Sequence, residues 1–438
     1  MTTARTRAKR ILPLAAGIGA TALLLTGCGP AGNGGGGDDA SDPKSFSYLS
    51  FAENTSIQDT LTALSEDQCT AENEALPLDI STQPQESYDQ QLQLLGGQDS
   101  LSSIFASGNS PQLAKDLDKG GLLVDIGAEL DALGQGDDLL PAARSTLEAL
   151  YDGNVYALPT ELNVEGIWYN TKIFAELGID EPTTWDELVD AAETVNAAGI
   201  IPFSADGADG WPLTRLVGNY IYRTVGPDAL QKVADGEASL TDPEYVEAAA
   251  QVAALGEAGY FGPSVGSIDY MTAVNQFLTG KAAMFYMGSW ILGNFNDPSA
   301  NLIGNENIAF MPFPNVEGGA GDSTQLAANV GVPLAMSSST FGEKSKAWLS
   351  CIAANYGSQS LQAQGVISGF ATNTEVTDLP PLTQAVQERI NETEQSVLWF
   401  EALFNTKAAT TSQTNAALLV TGSLSPEDFM SAVQADLG

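Results

Sequence analysis

The chain has 438 residues, more than one hydrophobic core usually holds, and its 43% hydrophobic content is that of a globular protein rather than a disordered or membrane-embedded one. Its 17 basic against 55 acidic residues give a net charge of −38, which argues against nucleic acid or an anionic membrane surface as a partner. Because histidine is absent, His-based catalytic triads, His metal sites and imidazole pH switches are excluded.

The first 27 residues are predicted to be a lipoprotein signal peptide. Their apolar segment, 11–25, is too short to span a bilayer and follows four basic residues, Arg5, Arg7, Lys9 and Arg10. Leu25-Thr26-Gly27-Cys28 resembles a bacterial lipobox, in which the cysteine is lipidated and becomes the new first residue. An ordinary cleaved signal with an incidental cysteine is the alternative. We expect the lipid on Cys28 to hold the protein at the outer face of the cell membrane, with 28–43 as a flexible tether.

The segments after the tether follow the order of an α/β fold. Apolar alternation and helical periodicity predict strand 45–51, helix 57–64, strand 76–80, helix 88–95 and strand 102–106. This order is typical of a parallel sheet with helices on its faces.

Strands and helices continue to alternate toward the C-terminus. Further strands are predicted at 155–159, 164–170, in a segment ending at Phe203, and at 282–287, 307–314 and 329–336. Helices are predicted at 171–177, 185–197, 213–224, 226–235, 243–258, 270–279, 341–355, 381–391 and 425–436.

Three segments resemble the extracellular solute-binding proteins, family 1, of ABC importers, a family that includes maltose-binding and many sugar-binding proteins. They are 158-LPTELNVEGIWYNTKIFAELGIDEPTTWDEL-188, 277-FLTGKAAMFYMGSW-290 and 331-GVPLAMSSSTFGEKSKAWLSCIA-353. They lie in the family's order over nearly the whole chain. The resemblance implies a two-lobed α/β fold of the periplasmic-binding-protein type (type II), with lobes joined by crossing strands and closing around a ligand.

The resemblance also implies the lobe boundaries. One lobe would comprise 44–162 plus 308–336, and the other 163–307 plus 337–438. Cys69 and Cys351 would then lie in different lobes, where a disulfide would lock the hinge, so we expect them to be unpaired.

Two tryptophans are the leading ligand candidates. Trp290 follows the strand 282–287 through Gly288 and Ser289, which are expected to form a tight turn and a helix cap. Ligands of open sheets bind beyond strand ends, so its indole would present a flat face to a sugar ring. Trp211 opens a helix after a Gly- and Asp-rich loop and is a second platform. A core position is the alternative for both.

Polar ligand candidates lie at loop ends, where planar groups that donate and accept in pairs suit sugar hydroxyls. They are Glu53, Asn54, Asn109, Glu161, Asn163 and, in the loop before Trp211, Asp206 and Asp209. Capping and turn formation are the alternatives for most of them. Phe370, in a loop that resembles a late cleft loop of the family, is a further candidate. The sequence leaves open which of Trp399, Phe400 and Phe404 faces the cleft.

The predicted function is that of the substrate-binding lipoprotein of an ABC importer. Its ligand would be a mono- or oligosaccharide, its partner the transmembrane permease, and it would act as a monomer without a catalytic set, cofactor or metal. The alternatives are a polyamine or other cationic solute as ligand, since acids and aromatics suit a cation, an exported glycoside hydrolase with paired carboxylates, or a surface adhesion or sensor lipoprotein.

Overall fold

A computed structural model of the chain describes residues 42–52, 55–107, 111–393 and 395–438. The strands are β1 Phe46–Phe51, β2 Leu78–Gln83, β3 Ile104–Ala106, β4 Ala157–Leu158, β5 Asn163–Asn170, β6 Ile201–Ser204, β7 Ala282–Gly288, β8 Ile308–Met311, β9 Leu326–Asn329, β10 Leu334–Met336 and β11 Ser396–Val397.

The helices alternate with these strands along the chain. They are α1 Thr55–Glu66, α2 Thr70–Ala75, α3 Gln85–Gly97, α4 Pro111–Lys119, α5 Ile126–Ala132, α6 Pro141–Leu150, α7 Thr171–Leu177, α8 Trp185–Ala197, α9 Trp211–Val225, α10 Ala229–Ala234, α11 Pro243–Glu257, α12 Tyr270–Leu278, α13 Leu292–Asn296, α14 Glu343–Gln364, α15 Pro381–Asn391, α16 Thr406–Val420 and α17 Pro426–Leu437. Within the described ranges, none of the helices has both the length and the apolarity needed to cross a bilayer.

The first sheet has the strand order β2-β1-β3-β10-β4. β1 is parallel to β2 and β3, as the alternation of strands and helices predicts, and β10 runs antiparallel between β3 and β4. Tyr88 of α3 ties this sheet together, because its buried hydroxyl donates to the carbonyls of Leu49 and Ala106 at 2.9 and 3.0 Å. This sheet and the helices packed on it form the first lobe.

The second sheet has the order β11-β9-β5-β7-β6, with β8 paired to the end of β5. All eight residues of β5 are buried, as expected of a central strand covered on both faces. Trp168 within it is fully buried, and its indole nitrogen donates to the Met287 carbonyl at 3.0 Å, so this tryptophan belongs to the core. The second lobe is this sheet with its helices.

Two short segments cross between the lobes side by side. Residues 159–162 lead from β4 to β5, and residues 330–333 lead from β9 to β10. The Thr160 hydroxyl on the first segment donates to the Val332 carbonyl on the second at 2.7 Å. A third passage lies between α14 and β11. The two-lobed architecture with crossing strands follows from this topology.

The sheet assignments correct the predicted lobe boundaries. β8 and β9 were expected in the first lobe, but both pair with β5 in the second sheet. Conversely, α14 was expected in the second lobe but packs along α1 in the first. Its Trp348 is fully buried, stacks on Phe46 with ring centroids 4.8 Å apart, and donates to the Leu76 carbonyl at 2.9 Å. Strand periodicity alone carries no information about which sheet a strand joins.

The expectation that the cysteines are unpaired is wrong. Cys69 and Cys351 form a disulfide, with Cα atoms 5.9 Å apart. This error follows from the wrong lobe assignment of α14. With α14 in the second lobe, Cys69 and Cys351 would be far apart, whereas the packing of α14 on α1 and α2 brings them together. The bond therefore lies within the first lobe and does not cross the hinge.

Candidate functional site

The candidate site lies where β7 ends beside the crossing segments. Gly288 closes the strand, and the Trp290 indole folds back over it so closely that a Cβ atom at position 288 would overlap the ring. Ser289 does not cap the following helix as expected. Its hydroxyl accepts from the Val164 amide and donates to Asn163 Oδ1, both at 3.2 Å. The turn therefore fixes the tryptophan against the first residues of β5.

Three tryptophans form a row in the second lobe, and all three rings are partly exposed. The ring centroids of Trp290 and Trp211 are 5.8 Å apart with their planes inclined by 58°. Arg215, one helical turn after Trp211, lies over Trp211 at 5.0 Å and over Trp399 at 5.6 Å from the ring centroids. Stacking of a guanidinium between two indoles holds both rings in place. We call Trp290, Trp211 and Trp399 the aromatic row.

The structure distinguishes the three aromatic residues that the sequence left open. Phe400 is buried and packs against Gly218 of α9. A side chain at position 218 would collide with Phe400. Phe404 packs edge-on against Phe400 with ring centroids 5.0 Å apart. Trp399 is the one that joins the aromatic row.

A pocket of about 160 Å³ lies beside Trp290, between the lobes. We call it the hinge pocket. It is lined by Glu161, Asn163, Ser289, Trp290, Leu292, Gly293, the last residue of α14, Gln364, and the three residues that follow it, Gly365, Val366 and Ile367. The last four belong to the first lobe, so both lobes contribute to its wall. Two predicted ligands, Glu161 and Asn163, are thus brought together with Trp290.

The polar side chains of the hinge pocket hold one another in place. Asn163 Nδ2 donates to Glu161 Oε2 at 3.1 Å and to Asn329 Oδ1 at 3.4 Å. On the other wall, Gln364 Nε2 donates to the Ser56 carbonyl at 3.0 Å and to Thr60 Oγ1 at 3.1 Å, both on α1. Burial raises the pKa of Glu161, although the hydrogen bond from Asn163 partly offsets this.

A buried ionic network supports the aromatic row from below. The Arg215 guanidinium is hydrogen-bonded to the fully buried Glu165 and lies 3.9 Å from Glu401 Oε2. Burial lowers the pKa of Arg215, but the two carboxylates outweigh it and the net shift is upward. Burial raises the pKa of Glu401, against the opposing effect of Arg215. One cation is thus shared by two acids.

The same network reaches the hinge. Glu165 Oε1 accepts from Asn329 Nδ2 at 3.2 Å, and Glu165 Oε2 accepts from the Tyr286 hydroxyl at 3.0 Å. Asn329 also accepts from the Gly331 amide at 3.1 Å, at the start of the second crossing segment. The aromatic row and the hinge are therefore connected through Glu165.

The loop before Trp211 forms a turn rather than a pair of ligands. Asp206 is fully buried, and its Oδ1 accepts from the Asp209 amide at 3.0 Å, while Asp209 itself is exposed and outside the hinge pocket. Burial raises the pKa of Asp206 to about 6. Tyr270 lies close by. Burial raises the pKa of Tyr270, and a hydrogen bond from Trp290 offsets part of this rise.

The remaining predicted residues have different outcomes. Phe370 is wrong as a ligand, because it is 1% exposed and packs on Tyr356 with centroids 5.4 Å apart. Glu53, Asn54, Asn109 and the predicted lipidation site, Cys28, lie outside the described residues. Sequence reasoning missed Gln364, Ser289, Glu165 and Arg215. Only Arg215 carried a signal, since it stands four residues after Trp211 on one helix face.

A larger hollow opens elsewhere between the lobes. Its volume is about 650 Å³, and it is lined by Gln112 of α4 on one side and by Leu403, Phe404 and parts of α10 and α17 on the other. Leu403 and Phe404 follow Trp399 closely in the chain, so this hollow and the aromatic row share one loop.

Comparison with known proteins gives matches across the chain. The sequence profile described as bacterial extracellular solute-binding protein matches residues 54–340. A probable sugar-binding periplasmic protein of Mesorhizobium japonicum is 25% identical over 243 residues, or 53% of this chain and 57% of the relative. The xylose/arabinose-binding protein XacG of Haloferax volcanii is 28% identical over 204 residues, or 45% of this chain and 43% of the relative.

These alignments cover only part of the relatives, from 33% to 57% of the length of four of them. Solved structures match over more of the chain. A chitin oligosaccharide binding protein superposes with a TM-score of 0.72 and 27% identity, over 90% of this chain and 98% of that one. A probable secreted solute-binding lipoprotein from Streptomyces coelicolor has a TM-score of 0.75 at 20% identity, over 90% of this chain and 99% of that one, and this likeness shows the fold alone.

Proposed function

The chain belongs to the bacterial extracellular solute-binding proteins, and from this premise we propose that it captures a saccharide between its lobes and delivers it to the permease of an ABC importer. The names of two relatives, one sugar-binding and one xylose/arabinose-binding, support a sugar as the ligand class. The structural similarity to a chitin oligosaccharide binding protein also supports a sugar as the ligand class.

The observation that carries this proposal is the aromatic row. Three partly exposed indoles in one lobe, next to a pocket lined by both lobes, offer the flat apolar surface on which a sugar ring stacks. If stacking buries about 80 Å² of apolar surface at Trp290, it contributes about 2 kcal/mol. That is about a quarter of the 8.2 kcal/mol that corresponds to micromolar affinity, so stacking is a substantial part of binding.

The connection between the lobes would couple ligand binding to closure of the two lobes. Trp290 belongs to the second lobe, whereas Gln364 belongs to the first, and two short segments and one longer passage join the two lobes. A ligand that touches both walls favours the closed arrangement by its differential affinity for it. The closed form is the one we propose to dock on the permease.

Lipid anchoring at Cys28 is part of the same proposal. Its support is the lipobox-like sequence and the tether that follows. Expression of the full chain and of Cys28→Ala in a bacterial host, with membrane fractionation and metabolic labelling by palmitate, tests it. Label on the wild type alone supports the anchor, and an unlabelled, membrane-free wild type refutes it.

The binding proposal is tested by calorimetry on the purified protein. The panel contains neutral monosaccharides and oligosaccharides of glucose, galactose, mannose, xylose and N-acetylglucosamine, together with spermidine and putrescine. At least one saccharide should bind, and Trp290→Ala should weaken it about thirtyfold, the equivalent of the stacking energy. Phe341→Ala, which removes a partly exposed ring elsewhere, serves as the control and should leave affinity unchanged.

The polyamine remains the second candidate, because the acidic Glu161 and the aromatic Trp290 line the same pocket. If spermidine or putrescine binds and none of the saccharides does, the ligand class is a cation rather than a sugar. Release of reducing ends from an oligosaccharide by the purified protein would instead indicate a hydrolase.

A further inference from the structure

We propose that the sugar ring in the hinge pocket presents hydrogen-bond donors to its wall, so that hydroxyl- and amino-bearing rings bind and carboxylate-bearing rings, the uronates, are rejected. The inference rests on the proposed function and goes further by naming the chemical subclass of saccharide. It follows from the hydrogen bonds already made by the side chains of the pocket.

The side-chain donors of the pocket are already used. The two amide hydrogens of Asn163 are directed to Glu161 and Asn329, and the two of Gln364 to Ser56 and Thr60. The Ser289 hydroxyl donates its single proton to Asn163 Oδ1. A ligand therefore finds no spare donor among these three side chains.

The acceptors are not used to the same extent. Glu161 accepts through Oε2, and within the described part of the chain its Oε1 has no hydrogen-bond partner. Because both amide hydrogens of Gln364 point to α1, its Oε1 is left as the other side-chain acceptor. Two oxygens, one on the first crossing segment and one at the end of α14, thus remain for donors that a ligand brings.

The charge of the pocket points the same way. Among the residues described, neither lysine nor arginine lines the hinge pocket, and Glu161 is its only ionisable side chain. The neighbouring cation, Arg215, is 13% exposed and is already shared by Glu165 and Glu401. A ligand carboxylate would therefore meet Glu161 without a cation to offset the repulsion, whereas an ammonium would be attracted.

The experiment compares matched rings. Calorimetry is run with D-glucose, D-glucosamine and D-glucuronate, with D-galactose, D-galactosamine and D-galacturonate, and with the neutral oligosaccharide that binds best alongside its terminally oxidised uronate form. In each set the neutral or amino form should bind at least about tenfold more tightly than the uronate. A uronate that binds as tightly as its neutral partner overturns the inference.

A variant identifies the group responsible. Glu161→Gln removes the charge and adds an amide donor at nearly constant volume, so it should reduce the discrimination against uronates by about tenfold or more. Glu176→Gln, on the exposed face of α7, changes the net charge equally and should leave discrimination unchanged. Equal discrimination in Glu161→Gln and the wild type would contradict the assigned role of Glu161.

The outcomes separate the inference from the proposal beneath it. Binding of neutral sugars together with equally tight uronate binding overturns only the donor requirement. Absence of binding by any saccharide, neutral, amino or acidic, overturns the proposed function itself, and thermal denaturation of the same samples confirms that the protein tested is folded.

Discussion

The two lobes contribute different kinds of structure to the walls of the cleft. The second lobe contributes the aromatic row, set on a buried network of one arginine and two glutamates. The first lobe contributes the end of α14, where Gln364 is hydrogen-bonded to α1. Nearer the start of the same helix, the Cys69–Cys351 bond joins α14 to the residue that precedes α2. In the proposed function, the wall of the second lobe would supply contact area for a ligand, and that of the first lobe would supply a fixed surface to close against. Affinity and stability should therefore respond to different substitutions in the two lobes.

The largest effect is expected from breaking the ionic network of the second lobe. Arg215→Met leaves Glu165 and Glu401 buried without a cation and should cost about 3–5 kcal/mol of unfolding free energy, measured by urea denaturation. Lys115→Met is the matched control, because its partner Asp152 is 63% exposed, and it should cost less than about 1 kcal/mol. Equal losses would show that the network does not stabilise the lobe.

Removing the disulfide tests the first lobe in the same way. The double variant Cys69→Ser with Cys351→Ser should lose about 2–5 kcal/mol, because the bond constrains a long loop of the unfolded chain. Thermal denaturation of the wild type with and without a reductant gives an independent measure. An unchanged Tm in both experiments would mean that packing of Trp348 on Phe46 suffices to hold α14.

Asp206 allows the second lobe to be tested through pH. Its folded-state pKa of about 6 lies above the unfolded value of about 3.9, so the stability it contributes is fully present below about pH 4 and is lost as the pH rises through 6. Asp206→Asn should therefore stabilise the protein by about 1–2 kcal/mol at pH 8 and have little effect at pH 4. Asp190→Asn, on the exposed side of α8 in the same lobe, should leave the pH profile of stability unchanged, and a similar profile for both variants would contradict the assignment.

The smallest effect is expected at the hinge that joins the two walls. Gly331 has φ +60°, and a Cβ there would crowd Glu161, whereas Gly318 has φ +76° in open space. Gly318→Ala should cost about 1 kcal/mol through backbone strain alone, measured by denaturant unfolding. Gly331→Ala should cost slightly more and also weaken ligand binding. Unchanged affinity in Gly331→Ala would separate the hinge from the pocket.

Much of the fold could be predicted from the sequence. The family and the two-lobed α/β fold are confirmed by the family model and by the superposition on a solved structure. They could be predicted because the segments around Trp168, Gly288 and Trp348 resemble the family and lie in its order. The assignment of β8, β9 and α14 to lobes could not be predicted, since it depends on long-range pairing. The disulfide was missed for the same reason.

The candidate site was predictable in part. The positions of Glu161 and Asn163 beside the pocket could be predicted because a crossing segment is reached from both lobes, and that of Trp290 because it follows a strand end. Their role as ligands stays a prediction. The prediction for Phe370 was wrong because the side chain of a loop residue beside a cleft can point to the cleft or to the core, and that of Phe370 lies in the core. Gln364 carried no signal at all, because its role depends on α14 packing against α1.

The contact between Phe46 and Trp348 has a consequence for the order of assembly. The first strand of the chain meets its stacking partner only after some three hundred further residues have been made, and β10, which lies between β3 and β4, comes nearly as late. A chain that emerges N-terminus first therefore holds an unfinished lobe at its leading end until most of the polypeptide is present. The lobe that begins first is completed late.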